Sequence, residues 1–310
     1  MNAVSESVVS VMDVGGTHVS AANVDLDTRS ILPGQSARLP LDSHAGAEEF
    51  VAALVGCAAR LPTRPGRRWS IALPGPFDYE RGIAWYAGVD KFDALYGFDL
   101  RGALSARMPD AGPIGFHNDA DAFGLGEWWV GAARGRRRIA GITLGTGVGS
   151  AFVEDGRALH EGPGLPPHGR INELSHRGKP LEQTVSRQAL RQAYAKASGA
   201  LDVASAAADA LHPADPVDVR EIAERARQGD RVAAAVFDQA FRTLGNVLAP
   251  IFAAFGPEML VIGGSIAASW DLVAKPLLEG LGDRIAVEPA RYPAVAALLG
   301  AAYLASREGR

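Results

Sequence analysis

Cysteine is all but missing from this chain. One thiol, Cys57, among 310 residues excludes an internal disulfide framework and any zinc site built from several cysteines. Cys57 falls at helical spacing with Phe50, Val51, Leu54 and Ala58, so it is expected to pack as a small buried hydrophobe. Long apolar runs are missing too. No stretch approaches the roughly 18 residues of a membrane-spanning helix, and no basic cluster leads into an apolar segment at the start; a cytoplasmic location is the expectation. Positive charge is not in excess, since 35 acidic residues face 31 lysines and arginines. That balance argues against nonspecific nucleic-acid binding. The remainder is ordinary for a soluble globular protein, with 47% hydrophobic and 21% charged residues, and the length allows one large or two medium domains with a substantial core.

Glycine is plentiful, at 36 residues, and two of its turns are informative. Asp13-Val-Gly-Gly-Thr17 is entered by the apolar run Val8 to Val14 and left through His18 to Val24. Leu144-Gly-Thr-Gly-Val-Gly149 lies between Ile139 to Leu144 and Ser150 to Val153. Each reads as strand, turn, strand, whereas a dinucleotide fingerprint or a P-loop would pass from a strand into a helix. An anion here would be held by backbone N–H groups and a hydroxyl within the hairpin, because glycine permits a tight turn and a close approach. Met259-Leu-Val-Ile-Gly-Gly-Ser265 reads as a buried strand ending in Gly263 and Gly264, and His117-Asn-Asp119 stands between the two hairpins.

Singly, each signal has a plain structural reading. Glycine pairs between strands are mostly turns, and Asn118 and Asp119 before an apolar run are favoured helix caps. In this order, however, they resemble the phosphate-1, catalytic Asn-Asp, phosphate-2 and adenosine motifs of the ROK family (repressors, open reading frames and kinases), within the actin, sugar kinase and Hsp70 superfamily. The likeness runs from Asp13 to the Ala-rich stretch Ala297 to Leu304. It implies an α/β, two-domain actin-like ATPase (ribonuclease H-like) fold with an interdomain cleft, divided into residues 1–120 plus 290–310 and residues 121–289.

The resemblance also implies roles. Asp119 would be the general base that takes the proton of a sugar hydroxyl, and a helix N-terminus would keep it ionised and weakly basic. That suffices if phosphoryl transfer is largely dissociative. Asn118, Gly75 of the Pro74-Gly-Pro76 turn, Glu173, His176 and Glu182 would bind the sugar. Glu173-Leu-Ser-His176 resembles the family's Glu-x-Gly-His motif, with Ser175 in the glycine position. Asp13, Gly15, Gly16, Thr17, Thr146, Gly147 and Gly149 would meet the phosphates of ATP, Gly263 and Gly264 the adenosine, and Asp13 would orient Mg²⁺ through water. The implied activity is phosphorylation of a hexose such as glucose, in a homodimer with small-molecule partners and no nucleic acid or membrane. A sugar-responsive transcriptional regulator of the same family and an actin-like ATPase without a sugar are the alternatives. The regulator is disfavoured because the phosphate-1 strand begins within the first dozen residues.

Three departures stand out. The family's cysteine loop is absent, since only five residues separate His176 from Glu182, so no structural zinc is expected. Where many members carry an Asn-Leu-x-x-Trp-like stretch, this chain has Ala87 to Phe92, in which Asp90 and Lys91 read as surface charge, with a substrate contact by either as the alternative. Arg134-Gly-Arg-Arg-Arg138 precedes the phosphate-2 strand and reads as a solvated loop, or as an electrostatic funnel for a polyanionic donor. The segments 143–151 and 173–186 look similar to polyphosphate-using glucokinases of the family, which leaves polyphosphate open as a donor.

Between the motifs, the patterning predicts a hairpin meander over 8–40 and strands at Trp69–Leu73 and Pro113–Phe116. Helices are predicted at 47–61, 99–108, from 119 through Trp129, and at 181–197, 217–228, 231–255 and 293–306. A kink is expected at Pro250, and 199–215 reads as a weakly ordered connection.

Overall fold

The computed structural model describes residues 7–63, 66–88, 91–108, 110–199, 217–282 and 285–308. Two compact units emerge, Met1–Gly135 with Ala294–Arg310, and Arg136–Pro293. The segment 199–215, apart from Gly199 itself, lies outside the described residues. No described helix is long and apolar enough to cross a membrane.

In the first unit, β1 (Val8–Val14), β2 (His18–Asp25) and β3 (Ser30–Pro40) form the expected antiparallel meander. After α1 (Ala47–Ala58), β4 (Arg67–Leu73) joins β1 in parallel. A small hairpin, β5 (Phe77–Asp78) and β6 (Ile83–Ala84), leads to α2 (Leu100–Arg107). β7 (Ala111–Asn118) then pairs with β4 in parallel and runs into α3 (Asp119–Trp129). The sheet order is β3-β2-β1-β4-β7. Strands β1 and β4 are buried over most of their length because sheet neighbours lie on both sides and helices cover the faces. The edge strand β3 alternates and leaves much of its length in water.

The second unit repeats this plan. β8 (Arg138–Leu144), β9 (Val148–Glu154) and β10 (Arg157–Ala158) are antiparallel neighbours. A two-strand ribbon, β11 (Ser175–His176) and β12 (Lys179–Pro180), precedes α4 (Glu182–Val185), α5 (Arg187–Ala197), α6 (Val219–Arg227) and α7 (Arg231–Phe255). β13 (Met259–Gly263) pairs in parallel with β8 and, after α8 (Trp270–Leu281), with β14 (Ala286–Pro289). The order β10-β9-β8-β13-β14 mirrors that of the first sheet. The chain then returns to the first unit as α9 (Ala296–Arg307).

One helix pair braces each unit through glycine. A Cβ on Gly126 of α3 would meet the backbone of Ala296, and one on Gly300 of α9 would meet the carbonyl of Ala122. Gly245 of α7 and Gly280 of α8 stand in the same relation in the second unit. These crossings are too close for any side chain at the contact. They also hold α3 in the first unit, although the sequence division at residue 120 assigned it to the second. A further difference concerns 181–197, which is two helices rather than one. Ser186 takes extended φ/ψ and its side chain accepts from the N–H of Ala189 at 3.3 Å, so a favoured N-cap restarts the helix as α5.

Candidate active site

Register alone gathers the catalytic candidates of the first unit. Asp13 pairs with Ala72 of β4, and Ala72 with His117 of β7. The three residues therefore lie side by side at the carboxyl ends of parallel strands, with Asn118 and Asp119 one step beyond. That end of an open α/β sheet is where ligands bind. On its other side Asp13 pairs with Ser20 across the hairpin, so the turn Gly15–Thr17 lies immediately above it. The turn is closed by Gly15 N–H donating to the carbonyl of His18 at 2.9 Å, while Thr17 Oγ1 lies 2.9 Å from His18 Nδ1.

Two carboxyl groups share this corner. Burial pushes Asp13 up to about 7, the charge of Asp119 pushes the same way, and Arg38 of β3 opposes both. Asp119 is also raised, chiefly by burial and further by Asp121, against the Ala120 N–H and the Lys91 ammonium. The sequence expectation of a weak, readily ionised base at the helix N-terminus is thus reversed, because desolvation outweighs the helix-end interactions. His117 stays neutral: its ring is buried, which lowers it to about 4, even though a half-exposed Glu308 carboxylate lies 3.5 Å from Nε2.

Asn118 caps α3, its Oδ1 accepting from Ala120 N at 3.0 Å and Asp121 N at 3.1 Å. Its amide donates to the Tyr79 hydroxyl at 3.1 Å, and that hydroxyl donates to the carbonyl of Leu73. Capping and a ligand role are compatible, since the amide carries a second N–H. Gly75 precedes a cis peptide to Pro76. Its turn is held by Tyr86, whose hydroxyl donates to the Pro74 carbonyl at 2.7 Å. Neither tyrosine carried a sequence signal, because their partners lie 6, 12 and 39 positions away.

Lys91 is no surface charge. Phe92 beside it is 2% exposed, packs edge-on to Phe50 at 5.2 Å and against Tyr86 at 5.2 Å, and donates its N–H to the Ser43 carbonyl at 2.7 Å. That anchor lays the Lys91 stem over Gly16, so that a Cβ on Gly16 would lie 3.4 Å from Cδ and 3.9 Å from Nζ. Asp90 lies outside the described residues.

In the second unit the phosphate-2 hairpin forms as expected, with Thr146 exposed at its tip and Gly149 paired with Thr143. Gly145 N–H donates to the Gly147 carbonyl at 3.0 Å, and Arg187 N–H to the Gly145 carbonyl at 2.8 Å. Glu182 accepts from the N–H of Val148 at 2.8 Å. Gly263 ends β13 opposite Thr143. Gly264 follows at φ 83°, and the backbone of Leu144 fills the space of any side chain there, so this glycine packs the two motifs together.

The sugar-binding candidates of this unit lie on neighbouring segments, joined by Leu181 N–H on the Leu174 carbonyl at 2.7 Å. Glu173 is exposed and pairs with Arg170 at 3.3 Å. His176 belongs to a ribbon whose two-residue turn, Arg177 (φ 51°) and Gly178 (φ 77°), has the left-handed geometry that hairpins favour. Its ring lines a cavity of about 680 Å³ between the ribbon, α5 and α7, together with Arg177, Lys179 and Gln183. Glu182 also braces the phosphate hairpin, through one of its two carboxylate oxygens. Not all the arginines of 134–138 stand free, since Arg137 and Arg138 reach Glu154 and Arg136 reaches Glu258. Among the described residues no cluster of three or more His, Cys, Asp and Glu could hold a metal ion.

Residues 9–308 match the ROK family. A glucokinase of Thermotoga maritima is 31% identical over 227 residues, which is 69% of each chain. Among solved structures, a ROK hexokinase from Thermus thermophilus superposes with a TM-score of 0.72 at 27% identity, covering 97% of this chain and 100% of that one. An inorganic polyphosphate/ATP-glucomannokinase from Arthrobacter sp. strain KM gives 0.69 at 25% identity, covering 98% and 100%. The chain belongs to the ROK family and has the two-domain, actin-like α/β fold of its sugar kinases.

Proposed function

We propose that this ROK family member is a sugar kinase that transfers the terminal phosphoryl group of ATP to a hexose such as glucose. The observation that carries this is Asp119: a carboxylate raised by burial, at the carboxyl ends of the parallel strands β1, β4 and β7, beside a glycine turn and a second carboxylate. A raised carboxylate is the better proton acceptor for a sugar hydroxyl. Asp119 takes that proton as the hydroxyl oxygen attacks, and Asn118 offers its remaining N–H to the sugar. Each glycine hairpin, taken by itself, offers backbone N–H groups suited to phosphate.

The corner fits Mg²⁺. The charge of Asp119 raises the cost of ionising Asp13, and a hard, oxygen-preferring cation relieves that repulsion. Asp13 would hold it through water, and the ion would supply charge neutralisation at the donor phosphates. Polyphosphate is a second donor to test, favoured by the likeness to the Arthrobacter glucomannokinase. The deciding experiment is a coupled assay over a hexose panel with ATP and with polyphosphate. Absence of product from every sugar and donor would refute the kinase activity.

A further inference from the structure

The stretch Ala87 to Phe92 replaces the sugar-side Asn-Leu-x-x-Trp-like segment that the resemblance led us to expect, and the structure gives the replacement a purpose. Phe92 adopts φ 60°, ψ 18°, a left-handed conformation that bulky side chains avoid. Such strain persists only where surrounding contacts impose it, and it concentrates at functional sites. Here the contacts are the Phe50 and Tyr86 rings and the carbonyl of Ser43. Their effect is to turn the chain so that Lys91 crosses the phosphate-1 turn at Gly16, on the side from which its charge acts on Asp119. A cation between a glycine turn and a buried carboxylate stands where donor phosphate and attacking hydroxyl must meet.

We propose that Lys91 is a catalytic residue that binds the terminal phosphoryl group of the donor at the Gly15–Thr17 turn and neutralises its charge during transfer. It rests on the kinase function proposed above. In the step, the bond from the terminal phosphorus to the donor's bridging oxygen breaks and the electron pair stays with that oxygen. The sugar hydroxyl oxygen bonds to the phosphorus, and its proton passes to Asp119. Lys91 exchanges no proton in the step and follows the phosphoryl oxygens as a point charge on a flexible stem.

The test is calorimetric titration of the full-length protein with AMPPNP and, separately, with AMP, in excess Mg²⁺, for the wild type, Lys91→Met and Lys91→Arg. A charge-assisted contact to the terminal phosphate predicts that Lys91→Met weakens AMPPNP about ten- to a hundredfold. AMP, which lacks that phosphate, should bind as before, and Lys91→Arg should recover part of the loss. Equal weakening of both nucleotides, or no weakening of AMPPNP, overturns the assignment. Lys91→Gln gives a second uncharged variant if the methionine variant misfolds. A wild-type protein that binds AMPPNP through Lys91 yet phosphorylates no hexose refutes the kinase function and leaves the lysine's phosphate contact intact.

Discussion

Glu182, the first residue of the short helix α4, accepts a hydrogen bond at 2.8 Å from the backbone N–H of Val148, where the phosphate-2 turn re-enters β9. A residue expected to touch sugar thereby fixes the shape of a turn expected to touch phosphate. The same turn is held from its other side by Arg187 N–H on the Gly145 carbonyl, so the α4–α5 junction at Ser186 and the hairpin form one unit.

Replacing Glu182 by Ala should therefore raise the KM for ATP, by about tenfold for a lost charge-assisted bond. Glu182→Gln, which keeps an accepting oxygen, should lie between. Steady-state kinetics with either substrate varied will separate this from a sugar contact, which would move the KM for the hexose instead.

Asp119→Asn should lower kcat by about 10² to 10⁴-fold while binding of the hexose survives in part. The amide preserves size and hydrogen bonding but cannot accept the proton. Near-normal turnover in this variant would leave Asp119 with only its helix-terminal role.

Asp13 should make stability fall as pH rises. Its carboxyl is near 7 in the folded protein, against 3.8 ordinarily, so between these values the folded form retains a proton that the unfolded form has released. Asp13→Asn lacks this penalty. In Mg²⁺-free buffer its melting temperature should pull ahead of the wild type from about pH 4 upward, and the gap should stop growing above about pH 7. The buried, neutral His117 is present in both proteins and cancels from the difference. A constant gap across that range would show that Asp13 is not raised.

Gly300→Ala should cost about 3 kcal/mol, the upper end of the usual range for overpacking, because a methyl group there meets the carbonyl of Ala122 across the α3–α9 crossing. Gly282→Ala is the control for backbone effects: it sits at φ 78° with nothing within 4 Å of a built Cβ. Urea unfolding should show the Gly300 variant as much the weaker of the two.

Purified protein should carry no stoichiometric zinc, and a zinc-selective chelator in excess Mg²⁺ should leave activity intact. The chain's one cysteine is buried in the first unit, and the short His176–Glu182 connection is already ordered as a ribbon and helix start. One zinc per chain, with sugar binding lost on its removal, would imply ligands elsewhere.

Local chemistry wrote the hairpins, the long helix 231–255 and the Asn118 cap into the sequence, because apolar runs, glycine turns and capping side chains act within a few residues. The register of Asp13 against Ser20 follows from such short-range rules. What the sequence could not state was anything resting on contacts distant along the chain. Lys91 looked like solvated charge because the rings that bury Phe92 come from Phe50 and Tyr86 and the carbonyl from Ser43. The bond from Val148 to Glu182 gave no sign in the sequence because the two residues are 34 positions apart. The basicity of Asp119 had the wrong direction because a helix end is visible in sequence and burial is not. Sequence determined which groups are present and how each turn is built; tertiary packing decided which groups lose water and which charges meet, and those two terms set the chemistry of the site.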